Sequence, residues 1–93
     1  MSTVHFEWDE RKAAANLKKH GVSFEEAKSV FYDERARLID DPDHSKDEDR
    51  FILLGLSSVL KVLAVCHCYR TDAGVIRIIS ARKATATEMK SYP

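Results

Sequence analysis

Residues 50–81 read RFILLGLSSVLKVLAVCHCYRTDAGVIRIISA, and this stretch decides the fold. It contains three runs rich in Ile, Leu and Val: Arg50–Leu56, Lys61–Tyr69 and Val75–Ala81. Ser57-Ser58 separates the first pair and Thr71-Asp72-Ala73-Gly74 the second. β-Branched and bulky apolar side chains suit a pleated, half-buried surface, and the polar connectors suit turns. Connectors this short require hairpins, so the three runs form an antiparallel meander.

Working toward the N-terminus, 41–49 is a polar, turn-rich loop, and Arg35–Asp40 is a further strand candidate. Ser23-Phe24-Glu25-Glu26 is a capping box, followed by Ala27, Val30 and Phe31 at helical spacing as far as Tyr32. Before it, Asp9 reads as an N-cap and Gly21 as the stop of a helix over 10–20. The buried stripe expected there is Ala13, Ala14, Leu17 and His20. Thr3–Trp8 alternates like a short strand. Toward the C-terminus, Thr85-Ala86-Thr87-Glu88 is a second capping box, opening a short helix through Met89 to Tyr92.

The expected fold is therefore α+β within one domain over 1–93. An antiparallel sheet of four to five strands carries an N-terminal helical hairpin and a short C-terminal helix.

The formal net charge of +0, from 15 Lys+Arg and 15 Asp+Glu, argues at first against a nucleic-acid binder. Along the chain it divides. Residues 1–49 carry 8 basic and 13 acidic side chains, 8 − 13 = −5, and residues 50–93 carry 7 and 2, 7 − 2 = +5. Such asymmetry is a signal for nucleic-acid or partner binding. No apolar run approaches the roughly 20 residues of a membrane span. Free Cys66 and Cys68, and a Met1–Trp8 segment without secretory features, place the chain in a reducing cytoplasm.

Within 17 residues of expected sheet lie His67, Arg70, Arg77, Arg82 and Lys83, against one acid, Asp72. Alternation puts Val62, Ala64, Cys66 and Cys68 on one face of their strand and Leu63, Val65, His67 and Tyr69 on the other. It also separates Arg77, with Ile79 and Ala81, from Arg82. Cations on a sheet, mostly unpaired locally, form an anion site or decorate a solvated face. With a histidine they suit metal-independent RNA cleavage. A base takes the ribose 2′-OH proton, cations stabilise the phosphorane, and an acid protonates the leaving oxygen. No metal or other cofactor is expected. His67 turns away from the two cysteines, and the four-ligand pattern of a zinc site is missing.

Phe6-Glu7-Trp8-Asp9, Lys12, Asn16 and Lys19–Ala27 together resemble the BrnT toxin family. Asp41–Ser45, Arg50-Phe51, Leu54–Ser57, Ile76–Thr85, Glu88 and Tyr92 extend the match over about 5–92. The resemblance implies a type II toxin with a RelE-like fold and a ribonuclease activity that blocks translation. It further implies a BrnA antitoxin with a ribbon-helix-helix part, and contact with operator DNA only through that complex. Carried over residue by residue, it marks His67, Arg70, Arg77, Arg82, Lys83 and Tyr92 as site residues. On that reading His67→Ala and Arg82→Ala remove toxicity with little effect on stability. Two rival readings stay open: an RNA- or partner-binding module without chemistry, and a corepressor acting only with a DNA-binding antitoxin.

Overall fold

The computed structural model describes residues 4–39, 50–69 and 74–93. The element order is β1 (His5–Glu7), α1 (Glu10–His20), α2 (Phe24–Ser29), β2 (Arg37–Ile39), β3 (Arg50–Leu56), β4 (Val62–Tyr69), β5 (Val75–Lys83) and α3 (Ala86–Met89). Between α2 and β2, Val30–Tyr32 makes one 3₁₀ turn. The caps fall where the sequence puts them. Asp9 accepts from the Arg11 and Lys12 amides, Ser23 from the Glu26 amide and Thr85 from the Glu88 amide. Gly21 closes α1 with φ 70°, a left-handed position that a side chain would strain. The loop expected over 41–49, the turn at 71–73 and Arg70 lie outside the described residues.

The five strands form one sheet in the order β1-β5-β4-β3-β2. The meander β3-β4-β5 is antiparallel, and β2 joins β3 antiparallel. The sheet is nevertheless mixed, which corrects the antiparallel expectation: β1 runs parallel to β5, His5 opposite Val75 and Glu7 opposite Arg77. No hairpin links these two strands, so loop length places no constraint on their relative direction. Alternation identifies the inner face of β1 but not its partner.

Helices α1 and α2 cover one face. Val22, Phe24, Ala27 and Val30 pack there against Leu63, Val65, Ile78 and Ala81. The opposite face carries a smaller cluster of Ile52, Ala64 and Cys66, flanked by Ile39 and Ile79. Gly55 permits the close approach of the 3₁₀ turn to β3. A Cβ there would stand 2.7 Å from Val30 Cγ1 and 2.9 Å from Ala36 Cβ.

A β-bulge breaks the strict alternation of β5. Cys66 faces Ser80 and His67 faces Ile78, leaving Ile79 as the extra residue. Arg77 lies opposite Cys68, and Arg82 opposite Ala64. Directly opposed residues share a face, so both arginines stand on the side away from α1 and α2. This corrects the separation that alternation alone implies.

Asn16 is the other departure. It is buried on α1, whereas Leu17 is 51% exposed. Its amide donates to the Val22 carbonyl at 2.9 Å and the Ala81 carbonyl at 2.8 Å, and its Oδ1 accepts from the Ala81 amide at 3.1 Å. Strand β1 pairs with β5 only as far as Arg77. Beyond that point a helix side chain satisfies the strand's edge.

Candidate active site

His67 stands near the end of β4 on the helix-covered face and is 0% exposed. Its ring meets Phe31 edge-on at 4.8 Å between centroids, with Phe51 at 6.0 Å and Tyr69 at 5.3 Å. Phe51 lies directly opposite on β3, and Tyr69 follows two residues along on the same face. Nδ1 lies 3.1 Å from the Val65 carbonyl oxygen and Nε2 lies 3.4 Å from the Tyr69 hydroxyl. A carbonyl only accepts, so Nδ1 carries the proton and donates. In the neutral ring Nε2 is then the acceptor, and Tyr69 donates to it. Burial holds the imidazole below its ordinary value, partly opposed by the Val65 hydrogen bond.

The cations occupy other places. A row crosses the sheet on the opposite face: Glu7, Arg77, Cys68 and Arg50 are successive register partners. Arg77 donates to Glu7 in an ion pair. Toward the other end of β5, Arg82 grips Glu88 through two parallel bonds of 2.6 and 2.9 Å. The Glu88 carboxylate also accepts from the Thr85 amide at 2.9 Å. Arg82 foremost holds its pKa down at about 2, helped by the Thr85 amide against partial desolvation. The sequence reading that these cations are mostly unpaired is thus corrected for Arg77 and Arg82. Their partners come from β1 and α3, elements whose positions local sequence does not show. Lys83 is exposed at the end of β5.

Tyr92 lies apart from His67. Its hydroxyl donates to Asp33 Oδ2 at 2.6 Å, and the same carboxylate group accepts from the Leu56 and Arg35 amides. The Leu56 amide first, then Tyr92, lower the Asp33 pKa, while Asp33 raises that of Tyr92. Leu56 ends β3, five residues beyond Phe51, a span of about 17 Å. The structure therefore brings His67 together with Phe31, Phe51 and Tyr69. It places Arg77 and Arg82 on the other face, and Tyr92 at the far end of β3. Sequence reasoning did not single out Tyr69 or Phe51. The i, i+2 spacing of His67 and Tyr69 was the available signal for the first; Phe51 needed the register. Among the described residues, no three His, Cys, Asp or Glu side chains gather as a metal site.

The Arg82–Glu88 pair has a measurable consequence. Glu88→Gln is expected to cost about 1 kcal/mol at pH 7, since it removes the charge of a part-exposed bidentate pair while its amide oxygen can still accept from the Thr85 amide. The Glu88 contribution is present above the ordinary carboxylate range and is lost as pH falls toward about 2. Melting curves of the two proteins should therefore converge across that acid window.

Comparison with known proteins gives the family and the fold. The profile of the family described as "Ribonuclease toxin, BrnT, of type II toxin-antitoxin system" matches residues 8–88. The chain belongs to the BrnT family. Among solved structures, it is similar to the Brucella abortus ribonuclease toxin BrnT, with 25% identity and a TM-score of 0.68. That alignment covers 89% of this chain and 99% of the Brucella chain. Among curated proteins, none matches. The BrnT match runs from Trp8, just after β1, into α3, so it includes His67, Arg77, Arg82 and Lys83 but ends before Tyr92. No helix among the described residues is long and apolar enough to cross a membrane.

Proposed function

We propose that this chain is a metal-independent endoribonuclease of a type II toxin–antitoxin pair, with a RelE-like fold, that blocks translation in the cytoplasm by cutting RNA. The observation that carries the reading is the BrnT family match over residues 8–88. The supporting chemistry is a neutral, tautomer-fixed histidine on a sheet whose half of the chain is net +5 by 7 − 2. His67 supplies the proton-accepting function. Arg70, the cation nearest His67 in sequence, offsets the charge that develops during attack, and Arg77, Arg82 and Lys83 hold RNA phosphates away from the attacked bond, Arg77 and Arg82 from the other face of the sheet. Tyr92, tied to Asp33, belongs to the site by family resemblance and holds the C-terminal segment in place. The neutralising partner is a BrnA-type ribbon-helix-helix antitoxin, and operator DNA is met only through that complex.

Purified protein incubated with RNA in EDTA tests this. The expected products end in a 2′,3′-cyclic phosphate and a 5′-hydroxyl, from 2′-OH attack. Loss of cleavage in EDTA overturns the metal-free mechanism. RNA retained without new ends favours the binding-module reading.

A further inference from the structure

His67 has no surface of its own, but the group on its Nε2 does: Tyr69 is 54% exposed. The tautomer is set by the Val65 carbonyl, so the Nε2 lone pair is aimed at the Tyr69 hydroxyl. Phe31 and Phe51 close around the imidazole and leave Tyr69 as its polar outlet among the described residues. A catalytic base must come within hydrogen-bond reach of the proton it removes. A fully buried imidazole cannot do so for an RNA ribose; the phenol above it can.

The geometry points to Tyr69 as a catalytic residue that touches the substrate 2′-hydroxyl, with His67 behind it as the group that receives the proton. This rests on the ribonuclease reading above and adds to it the route by which His67 acts. The 2′-O–H bond breaks as its proton passes to Tyr69 Oη, and the phenol's own proton passes to His67 Nε2. The 2′ oxygen bonds to phosphorus, and the bond from phosphorus to the 5′ oxygen breaks with its electron pair left on that oxygen. The 5′ oxygen takes a proton from solvent. The imidazolium then returns its proton to solvent through Tyr69, so the dyad ends as it began and nothing is oxidised or reduced. A phenol accepts a proton in this way only while giving up its own, which is why the histidine behind it is required.

An exposed tyrosine beside Phe51, with ring centroids 5.5 Å apart, is also a surface on which an RNA base could stack. Two substitutions separate the roles, because phenylalanine keeps the ring and removes the hydroxyl. With the full-length chain and a short single-stranded RNA, Tyr69→Phe is expected to slow cleavage by about 10²–10³-fold. RNA affinity should be unchanged, and the melting curve should fall only by the one hydrogen bond lost at His67 Nε2, leaving the protein folded. The wild-type rate should fall as pH drops through a value below the ordinary histidine range, and His67→Gln should abolish that limb along with most activity. Full cleavage by Tyr69→Phe, with loss only in Tyr69→Ala, overturns the dyad in favour of stacking. Full activity in His67→Gln overturns it as well. RNA left intact by the wild type overturns the ribonuclease reading itself.

Discussion

His67→Ala is expected to melt well below the wild type, by the equivalent of about 2–4 kcal/mol, whereas His67→Gln should lose far less. The ring is fully buried against Phe31, Phe51 and Tyr69, so alanine leaves a void that β3 and β4 cannot close without losing their register. Glutamine nearly matches the imidazole in volume, and its amide can still donate to the Val65 carbonyl, but it cannot take a proton. The burial of His67 thus runs against the sequence-based expectation that His67→Ala has little effect on stability. Its counterpart for Arg82→Ala meets the same objection, since that change strands the Glu88 carboxylate. For activity, His67→Gln is the informative change, with an expected loss of about 10²–10⁴-fold in cleavage.

The same substitution carries a pH signature. As pH falls through about 6.5, the unfolded chain protonates its histidine first, because burial holds the folded one lower. Stability attached to neutral His67 is full above that point and is lost between the ordinary value and the lower folded one. Thermal melts from pH 7.5 to 5 should fall in the wild type more steeply than in His67→Gln. Parallel slopes would show that the imidazole is not buried neutral.

What the sequence made legible was local. Asp9, Gly21, Ser23 and Thr85 mark helix ends because caps act over three or four residues. The β3-β4-β5 meander follows from short connectors and alternating side chains, and the faces of β4 are as alternation sets them. What escaped was long-range. The parallel β1–β5 pair joins residues about 70 positions apart. The bulge at Ile79 leaves no compositional mark, yet it moves Arg82 onto the face of Arg77. The candidate site suffered most, since it depends on both. The cations seemed unpaired because Glu7 and Glu88 reach them from other elements. Tyr69 went unnoticed because its importance comes from the burial of His67, which only packing reveals.

Asn16→Ala is expected to destabilise the chain by about 2–4 kcal/mol and lower its melting temperature on the order of 10–20 °C. The side chain serves three backbone groups: the Val22 carbonyl, and the carbonyl and amide of Ala81. Ala81 is 0% exposed, so water does not replace those bonds without opening the core. Asn16→Asp should be no better. Its carboxylate keeps an acceptor for the Ala81 amide but turns a lone pair toward both carbonyls. Hydrogen exchange gives a local check, because the Ala81 amide should lose protection in Asn16→Ala before the β3–β4 amides do. The consequence reaches the proposed RNA surface. Ala81 sits between the bulge and Arg82, so Asn16 fixes the segment of β5 that presents Arg82 and Lys83. At a temperature where Asn16→Ala remains folded, its RNA affinity should therefore fall although Asn16 itself is buried. Unchanged affinity together with an unchanged melt would show that β5 holds its edge without α1.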